Sequence, residues 1–181
     1  MIWDKKGPDN TDNTIKEALK RAAELHINHL VVASSTGATA KKLINCGSNV
    51  ICVSYHVGFD GPGARRMSEE AIKELDGNGI KVLFTTHLLA GVDRAIRNKF
   101  GGVYPSEIMA QTLRMLGHGV KVCVEVAGMA LDAGLIPYGE EVIAIGGTAK
   151  GADTAVVITP AHSNNFFDTR VKEIICKPRN F

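Results

Sequence analysis

Apolar blocks alternate with amphipathic, polar-rich blocks along this chain, and the pattern predicts alternating strands and helices. Five runs of five or six residues are apolar at nearly every position and rich in β-branched side chains, which is typical of strands buried on both faces. These strands are predicted at residues 29–33, 49–54, 81–85, 141–145 and 154–158, and a short final strand at 172–176.

Helices are predicted between the strands from caps and from apolar residues at helical spacing. Thr14-Ile15-Lys16-Glu17 fits a capping box at the start of the first helix, and the apolar spacing continues to Leu25. Further helices are predicted at about 38–45, from Ser68 to about 77, and from Pro105 to about 116. Residues 120–134 begin with a strand-like alternation, but the length of the stretch and its final glycine favour a helix.

The order of these elements predicts one domain over residues 1–181, folded as a three-layer α/β/α sandwich. The first three strands wind in one direction, and the fourth follows two consecutive helices and returns beside the first. Eight residues between strands four and five are too few for a helical crossover, so this pair is expected to be antiparallel. Strands one and four then flank a topological switch point, where open α/β sheets bind their ligands.

Composition and charge exclude several classes of protein. The chain is 45% hydrophobic and 22% charged, and its formal net charge of +2 is too small to favour nucleic-acid binding. No apolar stretch has the length of a membrane span and the polar start does not resemble a signal peptide, so a cytoplasmic protein without a membrane partner is expected. The four cysteines form no C-x-x-C pair and are expected to be reduced thiols rather than zinc ligands.

The turn after the first predicted strand has the composition of an anion site. It reads Ser34-Ser35-Thr36-Gly37-Ala38-Thr39 and contains four hydroxyls, one glycine and no carboxylate at the start of a predicted helix. The simpler alternative is that Ser35 or Thr36 caps the helix while the other hydroxyls meet water. Because capping needs only one hydroxyl, the sequence favours a phosphate-binding turn.

The loop after the fourth strand would face this turn across the switch point. Its glycines could let the backbone approach a ligand, and its lysine could supply a positive charge. A glycine-rich hairpin turn with a solvated lysine explains the same residues equally well. The candidate residues of this wall are Gly146, Gly147, Thr148, Lys150 and Gly151. Neither the dinucleotide-binding nor the Walker-type glycine motif occurs in the chain.

Histidines follow three of the predicted strands, as His56, His87 and His162. Side chains at strand ends can converge on the edge of a site, so general acid–base or ligand-contact roles are open to them, with His56 and His87 as the catalytic candidates. Three histidines on separate loops have no diagnostic metal-ligand spacing, and no metal is expected. Tyr55 and Phe59 lie in the neighbouring loop and could stack on a planar ring.

Three segments of the sequence resemble a known family. Residues 30–40, which span the first strand and the Ser/Thr-Gly turn, resemble the C-terminal α/β domain of pyruvate kinases. Residues 120–137 and 145–155 are similar to a narrower group, the stand-alone and mostly archaeal proteins named for that domain. The resemblance covers nearly the whole chain and implies a five-stranded sheet in the order 3-2-1-4-5, with the fifth strand antiparallel.

The resemblance also implies a ligand. In pyruvate kinases with an allosteric sugar-phosphate site the matching turn holds phosphate, which points here to Ser34, Ser35, Thr36, Gly37 and Thr39. The stand-alone group is associated with flavin mononucleotide (FMN), a phosphate joined to a planar ring. The catalytic (β/α)8 barrel of the kinases has no counterpart in this sequence, so pyruvate kinase activity is not expected.

The function expected from the sequence is therefore the binding of a phosphorylated small molecule, with FMN as the cofactor, at the switch point. The 34–39 turn would hold the phosphate, the 146–151 loop would form the opposite wall, and Tyr55, His56 and His87 would edge the remainder. Two alternatives stay open: a flavin-dependent oxidoreductase or phosphate-ester enzyme that uses a loop histidine, and a regulatory or interaction module without a ligand. The sequence leaves the oligomeric state open, a homo-oligomer included.

Overall fold

The computed structural model describes residues 1–181 and contains seven strands and six α-helices. The strands are β1 (Ile2–Lys5), β2 (His29–Ala33), β3 (Asn49–Tyr55), β4 (Lys81–Thr85), β5 (Val142–Gly146), β6 (Thr154–Thr159) and β7 (Arg170–Asn180). The helices are α1 (Thr11–Glu24), α2 (Ala38–Lys41), α3 (Glu69–Gly77), α4 (Val92–Phe100), α5 (Pro105–Arg114) and α6 (His118–Asp132). None of the helices combines the length and apolar composition that crossing a membrane requires.

All seven strands form one mixed sheet in the order β1-β7-β6-β5-β2-β3-β4. β2 pairs in parallel with β3 and with β5, β3 pairs in parallel with β4, and β6 is antiparallel to both of its neighbours. The run β4-β3-β2-β5-β6 within this sheet has the order 3-2-1-4-5 that the sequence predicted. The switch point lies between the neighbouring parallel strands β2 and β5. From β2 the chain continues to β3, toward one edge of the sheet, and from β5 it continues to β6, toward the other edge.

The prediction of a five-stranded sheet is wrong, because two further strands extend it beyond β6. β7 runs from Arg170 to Asn180, more than twice the predicted length, and it pairs with β6 on one side and with β1 on the other. β1 reads Ile-Trp-Asp-Lys and none of its residues is fully buried. A polar edge strand of this kind lacks the apolar run by which the other strands were recognised.

The helices also depart from the predicted boundaries. α1 begins at Thr11, so the capping box predicted at Thr14 is wrong; the Thr14 side chain is fully buried inside the helix. α2 has four residues instead of the eight predicted, and α4 was not predicted at all. The start of α3 is confirmed, since the Ser68 hydroxyl accepts a hydrogen bond from the Ala71 N–H. The helix predicted at 120–134 is confirmed as α6.

Two apolar cores lie on opposite faces of the sheet and make the three layers. Alternate strand residues point to opposite faces, so Leu30 and Val32 of β2 pack with α1, α2 and α3, whereas Val31 packs with α6. α6 is buried along most of its length, which explains why it is apolar all round. All four cysteines are free, and only Cys46 is partly exposed.

Candidate functional site

The ends of four parallel strands meet at one edge of the sheet, here called the carboxyl edge: the C-terminal ends of β2, β3, β4 and β5 and the loops that follow them. The register aligns Ala33 with Val53, and Tyr55 with Thr85. The Ser54 hydroxyl donates a hydrogen bond of 3.1 Å to the Ser35 carbonyl oxygen, which ties the first loop to the end of β3. Every candidate residue named from the sequence except His162 lies at or shortly after one of these four ends.

Ser34 caps the first helix after β2. Its hydroxyl oxygen accepts hydrogen bonds from the backbone N–H groups of Thr39 and Ala40, at 3.2 and 3.4 Å, and the residue is 6% exposed. The alternative that Ser35 or Thr36 caps the helix is therefore wrong, because the hydroxyl that bonds the first turn of α2 is that of Ser34. Ser35 is half-buried and Thr36 is exposed, so their hydroxyls remain accessible.

Four consecutive backbone N–H groups of this turn, those of residues 35–38, donate to no acceptor within the protein. Gly37 has a φ of 86°, and a Cβ at this position would lie 3.3 Å from Leu75 Cδ1, so the turn requires glycine. Successive N–H groups in such a turn form a concavity that suits an anion. A helix as short as α2 adds little dipole, so the donors themselves give the turn its affinity for negative charge.

The glycines of the opposite loop are required by packing inside the protein. A Cβ on Gly146 would lie 2.8 Å from the Gly119 carbonyl oxygen in α6. A Cβ on Gly147 would lie 2.6 Å from the Gly151 carbonyl oxygen, and one on Gly151 would lie 2.7 Å from Pro8 Cα. The loop thus folds back on itself and on the N-terminal segment, and its glycines have an explanation that needs no ligand.

Two side chains of the same loop remain available for binding. Thr148 Oγ1 is buried and has no hydrogen-bond partner in the protein. Lys150 is exposed and forms no ion pair. A buried hydroxyl without a hydrogen-bond partner destabilises the fold unless a ligand or water pairs with it. Thr148 is therefore stronger evidence for a binding site than Lys150.

An aromatic cluster occupies the ends of β3 and β4 and consists of Tyr55, His56, Phe59 and His87. Ring centroids are 4.3 Å apart for Tyr55 and Phe59, and 4.9 Å apart for Tyr55 and His87. The two histidine rings lie 6.4 Å apart, and the Nδ1 atom of each is buried without a hydrogen-bond partner. Burial lowers the pKa of His87 to about 4, so its imidazole is neutral at pH 7.

Positive charge surrounds this cluster. The Arg66 guanidinium lies 4.7 Å from the Tyr55 ring centroid and is paired with Asp60, whose pKa this hydrogen-bonded pair lowers. The Arg94 guanidinium lies 5.1 Å from the Phe59 ring centroid and is paired with no carboxylate. Arg94 therefore contributes an uncompensated positive charge to the carboxyl edge.

A buried ion pair lies in the first half of α6, between Lys121 and Glu125. Their side chains are 7% and 2% exposed, and burial lowers the pKa of Lys121 despite the nearby carboxylate. The electrostatic influence of Arg94 and of Lys121 also opposes protonation of His87. Sequence analysis did not select Lys121 as a site residue, although two opposite charges four positions apart in an apolar helix were a signal for it.

His162 does not reach this edge. It follows β6, which is antiparallel to β5 and so ends at the opposite edge of the sheet. There its Nδ1 lies 2.9 Å from Asp132 Oδ1 at the end of α6, and its ring is stacked on Tyr138. The prediction that His162 could edge the site is wrong for this topological reason. No group of three or more His, Cys, Asp or Glu side chains is arranged to hold a metal ion.

Comparison with known proteins identifies the family of this chain. Residues 12–158 match the family described as "Pyruvate kinase, alpha/beta domain". A solved structure of a pyruvate kinase from Cryptosporidium parvum is similar to 83% of this chain at 15% sequence identity, with a TM-score of 0.42. The matched part is 23% of that kinase's chain, so this protein corresponds to about a quarter of its length. Since the family match covers most of the 181 residues, the chain belongs to the pyruvate kinase alpha/beta domain family.

Proposed function

We propose that this protein binds a phosphorylated small molecule, with FMN as the leading candidate, at the carboxyl edge between β2 and β5. The observation that carries the proposal is the run of four backbone N–H groups at residues 35–38 without an acceptor. A phosphate group has enough oxygen atoms to accept from all of them. Accessible hydroxyls on Ser35 and Thr36 would add two further donors.

The remainder of the edge suits a planar ring beside the phosphate. Tyr55 directly follows Ser54, whose hydroxyl bonds the phosphate-binding turn, so the aromatic cluster adjoins that turn. The rings of Tyr55, Phe59 and His87 offer stacking surfaces, while the unpartnered Nδ1 atoms of His56 and His87 offer polar contacts to ring substituents. The uncompensated charge of Arg94 would favour an anionic ligand further.

The proposal is tested by spectroscopy and calorimetry on the full chain. The visible absorption spectrum of freshly purified protein, followed by mass spectrometry of released material, reports a co-purified flavin. Titration with FMN and with inorganic phosphate then compares wild type with Thr36→Asp, which adds a negative charge at the exposed tip of the turn. Thr36→Asp is expected to weaken FMN binding at least tenfold, about 1.4 kcal/mol.

Ser48→Asp is the matched control, because it adds the same charge just before β3 begins, at the other edge of the sheet. It is expected to leave FMN affinity within twofold of wild type. A Thr36→Asp protein that binds FMN as tightly as this control would show that the turn does not hold the phosphate.

A second candidate function is an enzyme that uses His87 as a general base. The observation in its favour is a neutral imidazole with an unpartnered nitrogen beside the proposed ligand site. A flavin-dependent oxidoreductase and a phosphate-ester enzyme both fit this chemistry. Loss of turnover in His87→Gln with FMN affinity retained would support catalysis, and unchanged turnover would exclude His87 as the base.

A further inference from the structure

Helix α4 contacts the aromatic cluster through Arg94 and belongs to neither core. None of its nine residues is buried, and its terminal apolar residues, Val92 and Phe100, are 75% and 70% exposed. Burial of apolar side chains is normally what holds a helix of a globular protein in place. A helix of this length is marginal without such packing, so little free energy opposes the displacement of α4.

The contacts that do hold α4 are polar. Ser106 of α5 donates a hydrogen bond from its hydroxyl to Asp93, and Arg97 forms an ion pair with Glu107. Toward the candidate site, α4 contacts the Phe59 ring through the guanidinium group of Arg94. Exposed ion pairs contribute little to stability, so these contacts can break and re-form.

Helix α4 follows an anchored segment and has glycines at both of its ends. Before it, the Leu89 N–H donates to Glu125 at 2.9 Å, and Leu88 packs so closely on α6 that a Cβ on Gly128 would lie 2.9 Å from Leu88 Cδ2. Between that anchor and α4 stands Gly91, and directly after α4 stand Gly101 and Gly102, with φ values of 74° and 90°. Rotation at these glycines would move α4 while the loop that carries His87 stays fixed.

From these observations we propose that α4 is a hinged lid over the carboxyl edge and that Arg94 is the side chain through which the lid contacts an anionic ligand. The proposal rests on the ligand site proposed above. The Arg94 charge lies against the Phe59 ring, and a bound anion would give it a stronger partner and close the lid on the ligand. Arg94 is then a specificity-determining residue that selects ligands by negative charge.

Hydrogen exchange of the full chain tests the lid, with FMN and inorganic phosphate as the probes. In the free protein, amides of α4 are expected to exchange at least tenfold faster than those of the buried helix α6. Saturating FMN is expected to slow exchange in α4 at least fivefold. Arg94→Met should abolish this slowing and weaken FMN binding at least fivefold. Lys99→Met, a charge removal on the same helix with its cation over Phe100, should change neither quantity.

A reversible cross-link provides a second measurement. Asp93→Cys combined with Ser106→Cys replaces a hydrogen-bonded pair by two thiols that can be oxidised to a disulfide, which would hold α4 on α5. The disulfide would keep α4 in the position in which Arg94 lies over Phe59, so the oxidised protein is expected to bind FMN at least fivefold more weakly than the same protein after reduction. Equal affinities of the oxidised and reduced proteins would overturn the lid proposal.

The outcomes separate the lid from the site. If wild type binds neither FMN nor phosphate, the proposed function fails and the lid's role as an anion sensor fails with it. If wild type binds FMN but α4 shows no ligand-dependent slowing, or Arg94→Met behaves like Lys99→Met, the lid proposal is overturned while the site stands.

Discussion

Glu125 of α6 accepts a hydrogen bond of 2.9 Å from the backbone N–H of Leu89, 36 positions earlier in the chain. The same carboxylate is paired with Lys121, so one buried anion satisfies a loop amide and a buried ammonium group at once. Leu89 stands two residues after His87. The pair in α6 therefore fixes the loop that places this histidine at the carboxyl edge.

Removal of Glu125 is expected to be strongly destabilising. Glu125→Ala leaves both the Leu89 N–H and a buried Lys121 without a partner, and we expect a loss of about 3–5 kcal/mol in the free energy of unfolding. Lys121→Met combined with Glu125→Gln removes both charges and keeps an acceptor for Leu89, so the loss should be about 1 kcal/mol. Urea unfolding at pH 7 measures both values. Equal losses in the two proteins would contradict the assignment of a coupled pair.

The stability of the protein should depend on pH through His87. Burial lowers the pKa of His87 from the ordinary 6.5 to about 4. Between pH 6.5 and pH 4, His87 is therefore protonated in the unfolded chain but neutral in the folded protein. The stabilising effect of a neutral His87 is complete above pH 6.5 and is lost as the pH falls toward 4. His87→Gln should therefore lose less stability than wild type between pH 7 and pH 4.5, by roughly 2 kcal/mol after allowance for its partial exposure. Parallel curves of unfolding free energy against pH would refute this.

Gly119 should not tolerate a side chain. A Cβ at this position would overlap the Thr154 hydroxyl and would lie 3.0 Å from Asp153 Oδ1, which is fully buried. Gly119→Ala is expected to destabilise the fold by about 2–3 kcal/mol, because α6 must move away from the start of β6. Gly77→Ala in α3 meets no atom within 4 Å and should be neutral or stabilising by up to about 1 kcal/mol. Thermal unfolding of Gly119→Ala and Gly77→Ala tests this prediction, and similar melting temperatures of the two variants would contradict a steric clash at Gly119.

The contact between His162 and Asp132 is expected to be irrelevant to ligand binding. Both side chains are partly exposed and lie at the edge of the sheet opposite the candidate site. His162→Ala should cost less than about 1 kcal/mol in unfolding free energy and should leave FMN affinity within twofold of wild type. Calorimetry on this variant checks the corrected topology, since a large loss of affinity would place His162 back at the site.

The sequence predicted β2, β3, β5 and β6 because each is buried on both faces and therefore carries an unbroken apolar run. It also predicted the edge strand β4, whose residues are at most half-buried, from its apolar segment 82–84. It did not predict β1, whose exposed edge position imposes no such pattern, or α4, which buries no residue and so shows no apolar stripe directed at a core. The capping box predicted at Thr14 is wrong for a different reason. The local motif is present in the sequence, but tertiary packing extends the helix beyond it toward the N-terminus.

Part of the candidate site was likewise predictable from the sequence, and part was not. The 34–39 turn, His56 and His87 were predictable because they follow strands with recognisable apolar segments, and strand order brings those ends together. Arg94 was not predictable, since its contact with Phe59 depends on how an exposed helix lies on the surface. The glycines of the 146–151 loop were recognised, but the packing that requires Gly146 and Gly151 was not predictable, because it involves Gly119 and Pro8, which are distant in sequence.

The parallel pairing of β1 with β7 has a consequence for the order of folding. The amino group of Met1 donates a hydrogen bond to the carbonyl oxygen of Ile175, 174 positions away. Contacts of such separation form late, because a long loop must close before they contribute any stability. β1 can therefore complete the sheet only after β7 has been synthesised and has paired with β6. Until that final step the outer edge of β7 is open to a strand of another newly made chain, and the speed with which β1 covers it determines how much of the protein escapes aggregation.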